Sequence, residues 1–492
     1  MSDIIDLFHL IRSRTPIITI ETRDEREAVN LILKLGYEIK KPVYSWNLIK
    51  GLMLFDQSGA AREISSSEPS EVLYAIYNLY KQAIFILVDY HPYLKNDRNI
   101  RLIKELALDN SKRGVTIIFI STQIELPEEI KHLSARFDLS FPTEEKIKSF
   151  ILELIEKWKT SSASKKIEID ETILSLFIKN LRGLSFPEIS RMVLNALKDN
   201  AITKEDVRET AKAKYQLLNK DDVLYYEHDT SSFAEIGGLR NLKSWLEKRK
   251  SLFIGDIKDL NIDIPKGVLL LGVQGSGKSL AAKAISGNWG VPLLRLDFGT
   301  LYNKYYGETE RKTREALKMA DLMSPCVLWI DEIEKGLASD TNDSGTSKRV
   351  LGTLLTWMSE RKTHVFLVAT ANDIQNLPPE LMRKGRMDEI FFVDLPDFEI
   401  RKEILSIHLK KRKLNPLEFD LDLVAKSCEG FSGSEIEHVI IAGLYSTIGG
   451  YMQLNTEILL DEIKKTRPLS IVMSENIESM RLWAKDRTVP AN

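Results

Sequence analysis

The sequence predicts an α/β protein built from two related modules, each a sheet of buried strands flanked by helices. An apolar run ends in an aspartate twice, in IFILVDYH at 84–91 and in CVLWIDEIEK at 326–335. Short apolar runs of this kind are typical of strands that are buried on both faces. The stretch GLSFPEISRMVLNAL at 183–197 also matches GFSGSEIEHVIIAGL at 430–444. This internal repeat indicates that both halves share one architecture.

Composition limits the classes of protein to consider. A chain of 492 residues with 43% hydrophobic and 28% charged residues is typical of a multidomain soluble protein, and no apolar run is long enough for a membrane span. The formal net charge of -2 provides no overall basic field, so we expect no nucleic-acid partner. Cys326 and Cys428 are too few for a disulfide framework, which indicates a reducing compartment. The first residues resemble neither a secretory signal nor a transit peptide.

The first module has a strand but no phosphate-binding loop. Its first strand, TPIITIE, is followed by TRDEREAVNLILKL, in which acidic residues stand where phosphates would bind. These acids are Glu21, Asp24, Glu25 and Glu27. They can satisfy the amides of the helix N-terminus themselves and would repel a nucleotide. We therefore expect a scaffold or recognition module that binds no ATP. The alternative is an unrelated βα-repeat domain. The match of residues 183–197 to residues 430–444 disfavours this alternative.

The second module contains a phosphate-binding loop in its required context. An apolar strand leads through GVQGSGKS into the helix-forming segment LAAKAI. The glycines let successive backbone amides point at phosphate, Lys278 can reach the β- and γ-phosphate oxygens, and Ser279 can offer its hydroxyl to Mg²⁺. The predicted cofactors are therefore ATP and Mg²⁺. The residues assigned to this loop are Gly272, Val273, Gln274, Gly275, Ser276, Gly277, Lys278 and Ser279.

An acidic pair and a polar strand end follow the loop. Asp331 and Glu332 end the strand CVLWI, and Asn372 ends the strand in HVFLVATANDI. Downstream of a phosphate-binding loop, the first acid suits the magnesium side of a nucleotide site and the second suits a general base for an attacking water. Arg383 and Arg386 then precede another strand, IFFVDLP.

This order of motifs, over about residues 230 to 470, resembles the AAA clade of the AAA+ ATPases. The resemblance implies a P-loop AAA+ core with a helical lid. It also implies that Asn372 senses the γ-phosphate and positions the water, and that Arg383 and Arg386 complete a neighbouring subunit's site. The resemblance further implies that the chain forms a homo-oligomer, and specifically a hexamer. In the first module the positions corresponding to Glu332 and Asn372 are occupied by Tyr90 and Gln123.

Further matches to the same family concern the base and the lid. In FAEIGGLRNL, Ile236 and Gly238 stand where the family flanks adenine, and in RKEILSIHLKKR, Ile404 and His408 stand where it contacts base and ribose. The segment GFSGSEI resembles the lid signature and contributes Gly433 and Ser434. Ser434 replaces the sensor arginine of many AAA+ proteins, which the AAA clade generally lacks.

A third match concerns a loop that faces a central pore in these ATPases. In LYNKYYGET, Tyr305, Tyr306 and Gly307 occupy the positions that grip an extended polypeptide. The family normally has an aliphatic residue where Tyr306 stands. Tyrosines packed within the loop are the alternative, and the sequence does not choose between the two.

The predicted domains are a degenerate AAA+-like module at 1–215, a linker at 216–232, an AAA+ α/β core at 233–397, a helical lid at 398–470 and an amphipathic helix at 471–492. This arrangement is similar to the AAA-domain hypothetical reading frame family of chloroplast genomes and cyanobacteria. That resemblance implies a stromal or cyanobacterial cytoplasmic location and suggests a link to photosynthetic carbon metabolism. Three functions stay open, namely an ATP-driven remodeller of protein substrates, a nucleotide-dependent regulatory switch or scaffold, and a DNA-processing motor.

Overall fold

The computed structural model divides the chain into two compact units. The first comprises Met1–Ile147 and Leu184–Arg191, and the second comprises Lys148–Gly183 and Met192–Asn492. The structure describes residues 2–55, 61–65, 67–79, 82–161, 168–199, 201–219, 223–230, 232–255, 262–298, 301, 308–337, 344–374, 377–383, 385–448 and 453–492. Within these residues, no helix is both long enough and apolar enough to cross a bilayer.

The first unit is built on a sheet with the strand order β4-β3-β2-β5-β6-β1-β7. The strands from β2 to β7 in this order pair in parallel, whereas β3 and β4 add an antiparallel edge. These strands are β1 (Ile17–Glu21), β2 (Val43–Asn47), β3 (Gly51–Phe55), β4 (Ala61–Ser65), β5 (Ile84–Val88), β6 (Thr116–Ser121) and β7 (Ser134–Phe137).

The second unit is built on a sheet with the strand order β10-β12-β13-β14-β11-β15-β16. All neighbours pair in parallel except β10, which is antiparallel to β12. These strands are β10 (Leu224–Glu227), β11 (Gly267–Gly272), β12 (Leu293–Leu296), β13 (Cys326–Ile330), β14 (Val365–Ala371), β15 (Glu389–Val393) and β16 (Val489–Pro490); β8 (Glu168–Ile169) and β9 (Ala201–Ile202) form a separate pair.

The described helices follow in chain order. They are α1 (Ser2–Arg12), α2 (Glu25–Glu38), α3 (Pro69–Asn78), α4 (Asp97–Leu108), α5 (Asn110–Arg113), α6 (Glu128–Lys131), α7 (Glu144–Ser161), α8 (Glu171–Asn180), α9 (Phe186–Ala196), α10 (Lys204–Leu218), α11 (Arg240–Ile254), α12 (Lys278–Trp289), α13 (Thr309–Leu322), α14 (Ile333–Leu337), α15 (Ser344–Glu360), α16 (Phe398–Lys411), α17 (Leu421–Ser427), α18 (Gly433–Thr447), α19 (Thr456–Lys465), α20 (Leu469–Val472) and α21 (Ser474–Ala484).

The topology confirms the internal repeat. The five parallel strands of the first unit lie in the order β2-β5-β6-β1-β7, and those of the second lie in the order β12-β13-β14-β11-β15. When the five parallel strands of each unit are numbered in chain order, both sheets have the strand order second, third, fourth, first, fifth. The predicted α/β fold is therefore confirmed in both halves, and in each the first strand lies between the fourth and the fifth.

The repeated Gly-x-Ser segments also fold alike. Ser185 Oγ donates to Glu188 Oε2 at 2.8 Å just before α9, and Ser432 Oγ donates to Glu435 Oε2 at 2.8 Å just before α18. Each glutamate also accepts from the backbone amide of its own serine. In both segments the glutamate of the first helical turn holds the serine before the helix, so one local pattern begins both helices.

Each sheet is buried on both faces, and since successive side chains of a strand point to opposite sides, each central strand contributes to two clusters. In β5, for example, Phe85 belongs to one hydrophobic cluster and Ile86 to the other, and both are fully buried. The second sheet likewise separates two clusters. Helices α16 to α19 enclose a further cluster of their own, which is the predicted helical lid.

Two segments depart from the predicted organisation. The segment predicted as a linker contributes β10, whose residues LYYE pair with the edge strand β12. The segment predicted as one amphipathic helix contains the end of α20, then α21, and then β16. Helix α21 ends at Ala484, and β16 pairs in parallel with β15 at the edge of the sheet.

Candidate functional site

The phosphate-binding loop joins β11 to the N-terminus of α12. Gly275 and Gly277 have φ angles of +77° and +96°, which favour glycine, and a Cβ on Gly275 would lie 2.2 Å from Ser434 Oγ. No side chain among the described residues caps this helix. Its first amides are therefore free to bind an anion, with the helix dipole favouring negative charge.

Lys278 is the first residue of α12 and is 6% exposed. Its Nζ donates to the carbonyls of Gly272 at 2.8 Å and Val273 at 2.7 Å. Burial lowers the pKa of Lys278 to about 8, although the nearby carboxylates of Glu334, Asp331 and Glu332 act in the opposite direction. The loop thus holds a buried lysine whose ammonium is bound to two carbonyls of the same loop.

A hydroxyl and a carboxylate meet beside this lysine. Ser279 Oγ lies 3.4 Å from Asp331 Oδ1, and Thr370 Oγ1 donates to the same carboxylate oxygen at 2.6 Å. Strands β13 and β14 are neighbours, which places Thr370 at the end of β14 next to Asp331. Thr370 was not predicted from the sequence as a site residue. Its place two residues before Asn372 was the available signal.

Glu332 and Asn372 form the next layer. Asn372 Nδ2 donates to Glu332 Oε1 at 2.8 Å, while Lys335 Nζ lies 2.6 Å from Glu332 Oε2. Glu332 has a left-handed φ of +48°, and its amide donates to Thr370 Oγ1 at 3.0 Å. Both oxygens of the carboxylate are therefore held. The backbone amide of Asn372 donates to Glu334 Oε1 at 2.9 Å. Burial raises the pKa of the Glu334 carboxyl group.

These groups lie along one cavity of about 320 Å³. The cavity is lined by Glu235, Ile236, Gly237, Gln274, Gly275, Ser276, Gly277, Lys278, Ser279, Leu280, Asp331, Glu332, Asn372, Ile404, Ile407, His408, Gly433, Ser434 and Glu437. One end offers amides, a lysine and carboxylates, and the other offers mainly aliphatic side chains. This division suits a ligand that has phosphates at one end and a flat base at the other.

Five residues of the cavity lining were not predicted from the sequence. These are Glu235, Gly237, Leu280, Ile407 and Glu437. Glu437 Oε1 lies 3.2 Å from His408 Nδ1 and accepts from Arg412 at 2.9 Å. Burial lowers the pKa of His408, although Glu437 opposes this shift. The spacing of α16 and α18 in the sequence gave no sign that Glu437 would meet His408.

Some predicted site residues lie outside the cavity lining. Gly237 lines it in place of Gly238, whose amide donates to Glu403 Oε2 at 2.9 Å. Arg383 is exposed, and Arg386 donates to the carbonyl of Glu380. Gly272 and Val273 contribute carbonyls that accept hydrogen bonds from Lys278 Nζ. The proposed pore-loop positions Tyr305, Tyr306 and Gly307 fall outside the described residues.

The first unit has the same carboxylate position but no comparable loop. Ser121 Oγ donates to Asp89 Oδ1 at 2.8 Å, which matches the bond from Thr370 to Asp331. Only residues 22–24 join β1 to α2, whereas residues 273–277 join β11 to α12. Asp24 accepts from the amide of Glu27 at 3.1 Å and so caps α2. The expectation that an acid satisfies this helix N-terminus is confirmed for Asp24, whereas Glu21 accepts from the amide of Ile124 at 3.0 Å.

Two further positions of the first unit differ from the second. Tyr90, at the position of Glu332, is 1% exposed and donates its hydroxyl to the carbonyl of Pro69 at 2.7 Å. Gln123, at the position of Asn372, lies 3.4 Å from Glu125. A buried phenol whose proton is already donated offers no base for a water.

Fold and site together define an AAA ATPase. The model of the ATPase family associated with various cellular activities (AAA) matches residues 268–395. Models of the N-terminal and second domains of SpoVK-like AAA ATPases match residues 4–139 and 145–221.

Relatives at full length identify the particular family. The chain is 36% identical over 489 residues to the AAA domain-containing protein ycf46 of Pyropia yezoensis, covering 98% of this chain and 97% of that protein. It is 35% identical to the ycf46 protein of Guillardia theta, covering 98% and 95% of the two chains. The chain belongs to this ycf46 family of AAA domain-containing proteins. It is also 37% identical to the proteasome-activating nucleotidase of Aeropyrum pernix, over 44% of this chain and 55% of that protein.

Proposed function

We propose that this AAA ATPase is Mg²⁺-dependent, assembles into a homo-oligomer of six subunits and uses ATP hydrolysis to remodel protein substrates. The observation that carries the proposal is the hydrogen bond between Asn372 and Glu332 at the phosphate end of the cavity. It joins a carboxylate that suits a general base to an amide that suits its positioning, beside a loop that suits a triphosphate. The six-subunit ring follows from the family resemblance.

ATP would bind with its phosphates over the N-terminus of α12 and its base between Ile236 and Ile404. Lys278 would exchange its two loop carbonyls for phosphate oxygens. Ser279 and Asp331 would hold Mg²⁺, because a hydroxyl and a carboxylate 3.4 Å apart provide the oxygen ligands that this ion prefers. The ion would neutralise negative charge on the phosphates.

Glu332 would take the proton of the attacking water. Asn372 would hold both the carboxylate and the water in the positions that this proton transfer requires. The Lys335 ammonium, 2.6 Å from Glu332 Oε2, would hold the second oxygen of this carboxylate. The exposed position of Arg383 outside its own cavity supports a role in a neighbouring subunit's site. There a guanidinium would stabilise the charge that develops on the transferred phosphoryl group.

Support for a protein substrate comes from the Aeropyrum pernix relative, which is named as an activator of the proteasome. The second candidate is a nucleotide-dependent switch whose first unit binds a partner. The structure of the first unit favours this switch, because the unit keeps the strand order of the second unit but has no phosphate-binding loop between β1 and α2. The formal net charge of -2 disfavours a DNA-processing motor. The plastid or cyanobacterial location and the link to carbon metabolism stay predictions from family membership.

The test is steady-state ATPase activity with Mg²⁺ or with excess EDTA, in the presence and absence of an unfolded model protein such as casein. A remodeller should hydrolyse ATP only with Mg²⁺ and should do so faster with casein. A basal rate that casein leaves unchanged would favour the switch. Glu332→Gln is the control, since activity that survives in this variant comes from a contaminant or another base.

A further inference from the structure

Two successive amides in the turn before α11 bond to acceptors from distant parts of the chain. The amide of Gly238 donates to Glu403 Oε2 at 2.9 Å, and the amide of Leu239 donates to Asn492 Oδ1. Gly238 and Leu239 both have left-handed φ angles, +68° and +57°. A leucine in this conformation costs about 1 kcal/mol or more, so the surrounding bonds must hold it there.

The same distant segment caps helix α11. The first amides of a helix have no acceptor within it, and α11 has no side-chain cap from its own N-cap residue, Leu239. The carbonyl of Ala491 accepts from the amides of Asn241 at 3.1 Å and Leu242 at 3.2 Å. Asn241 Nδ2 also donates to the carbonyls of Pro490 at 3.1 Å and Asn492 at 2.7 Å.

The segment that provides these acceptors is fixed to the edge of the central sheet. Val489 and Pro490 pair with Phe391 and Phe392 in β15, and the amide of Ala491 donates to the carbonyl of Phe392 at 2.9 Å. The Ala491 side chain is 1% exposed. Residues 489–492, which we call the edge clip, are therefore hydrogen-bonded to the sheet of the nucleotide-binding core.

The clipped turn is the wall of the cavity at its apolar end. Ile236 and Gly237 line the cavity directly before Gly238 and Leu239. A Cβ on Gly237 would lie 2.8 Å from Ile404, so the two walls of this end are already in close contact. Small shifts of the turn would change the width of the gap that a base must enter. The phosphate end is built on β11, α12, β13 and β14; β11 pairs with one edge of β15, whereas the edge clip pairs with the other.

We propose that the edge clip is a positioning device for recognition of the nucleotide base, with Asn492 and Ala491 holding the turn through Leu239 and the N-terminus of α11. This inference rests on the proposed ATP site. The edge clip acts on the base end and leaves the phosphate end unchanged. Loss of the edge clip should weaken the binding of ATP but not that of inorganic tripolyphosphate, which has no base.

The experiment compares dissociation constants for ATP and for tripolyphosphate by calorimetry, with KM and kcat for ATP measured on the same proteins. The variants are a chain that ends at Thr488, Asn492→Ala, and Asn492→Asp, which keeps an acceptor for the Leu239 amide. Leu482→Ala, on a residue of α21 that is 69% exposed, is the control. For the shortened chain and Asn492→Ala we expect weaker ATP binding, by about tenfold or more for the former.

In these variants KM for ATP should rise, kcat should stay near that of the parent, and tripolyphosphate should bind within about twofold of the parent value. Asn492→Asp should recover most of the affinity for ATP. Equal weakening of ATP and tripolyphosphate in Asn492→Ala would overturn the proposal, because a general loss of structure acts on both ends. Unchanged ATP binding in both Asn492→Ala and the shortened chain would overturn it as well. A folded parent protein that binds no ATP would instead overturn the proposed function.

Discussion

Asn372 and Glu332 are joined by a hydrogen bond of 2.8 Å from Nδ2 to Oε1, although they end different strands. The bond exists because β13 and β14 are parallel neighbours whose carboxyl ends meet at one edge of the sheet. The side-chain amide of Asn372 thus fixes the orientation of the Glu332 carboxylate, as a general base requires.

Replacing Glu332 by glutamine should leave ATP binding intact and abolish most hydrolysis. The amide keeps the shape and the contact with Asn372 but cannot accept the proton of water, so turnover should fall by about 10²-fold to 10⁴-fold. Single-turnover ATPase assays, together with nucleotide binding, measure both quantities. Turnover at the parent rate would show that another group acts as the base.

Lys278 makes ATP affinity depend on pH. Its depressed pKa of about 8 means that it loses its proton as the pH rises through this value, and ATP must then bind together with a proton. We expect a constant affinity below about pH 7 and a fall of up to about tenfold per pH unit above about pH 8. Titration calorimetry from pH 6.5 to 9.5, in buffers of different ionisation heat, detects the proton uptake. Lys278→Ala should bind ATP weakly and lack this dependence; affinity within a few-fold of the parent would refute the assignment.

Asp89 and Asp331 form a matched pair of carboxylates, each accepting a strand hydroxyl. Asp331→Ala should reduce ATPase turnover by about a hundredfold or more, because the metal loses its carboxylate. Asp89→Ala should leave turnover near that of the parent, since no phosphate-binding loop precedes it. Circular dichroism checks that both variants fold. A large loss of activity in folded Asp89→Ala would overturn the description of the first unit as a copy without a nucleotide.

Arg383 and Arg386 should act in trans. A double variant, Arg383→Ala with Arg386→Ala, and the single variant Lys278→Ala should each be inactive alone. Mixing them should restore part of the activity, because some interfaces then pair an intact loop with intact arginines. ATPase assays of the mixture, with mixed oligomers verified by tagged pull-down, provide the measurement. Mixed oligomers without any recovery would contradict action in trans, as would a specific activity that stays constant down to monomer concentrations.

Lys214 in α10 should make stability rise with pH. It is fully buried, and its Nζ has no hydrogen-bond partner among the described residues. Burial, assisted by Arg182 and opposed by Cys326, lowers its pKa to about 7. Between about pH 7 and pH 10 the unfolded chain then binds more protons, so the free energy of unfolding should increase by up to about 1.4 kcal/mol per pH unit.

Urea unfolding at pH 7 and pH 9 tests this prediction. Lys214→Met should be more stable than the parent at pH 7 and should lose this part of the pH dependence, because an apolar side chain needs no desolvated charge. Lys212→Met, at an exposed position of the same helix, is the control and should change neither quantity. Equal pH dependence in the parent and in Lys214→Met would contradict the prediction.

The sequence by itself determined the features that depend on neighbours in the chain. The phosphate-binding loop, the acids that end β13, the serine and glutamate that begin α9 and α18, and the repeat of strands are all local patterns. Each follows from the conformational preference of a short segment, such as the positive φ angles of Gly275 and Gly277 or the cap that Asp24 provides for α2.

Only the tertiary structure decided which distant groups meet. Thr370 reaches Asp331 because two strands pair in a particular register, and Glu437 reaches His408 because two lid helices pack together. The edge clip lies some 250 positions along the chain from the turn that it holds. The lowered pKa of Lys278 and Lys214 is also a tertiary property, because desolvation depends on everything packed around a side chain, and the sequence nearby does not specify those neighbours.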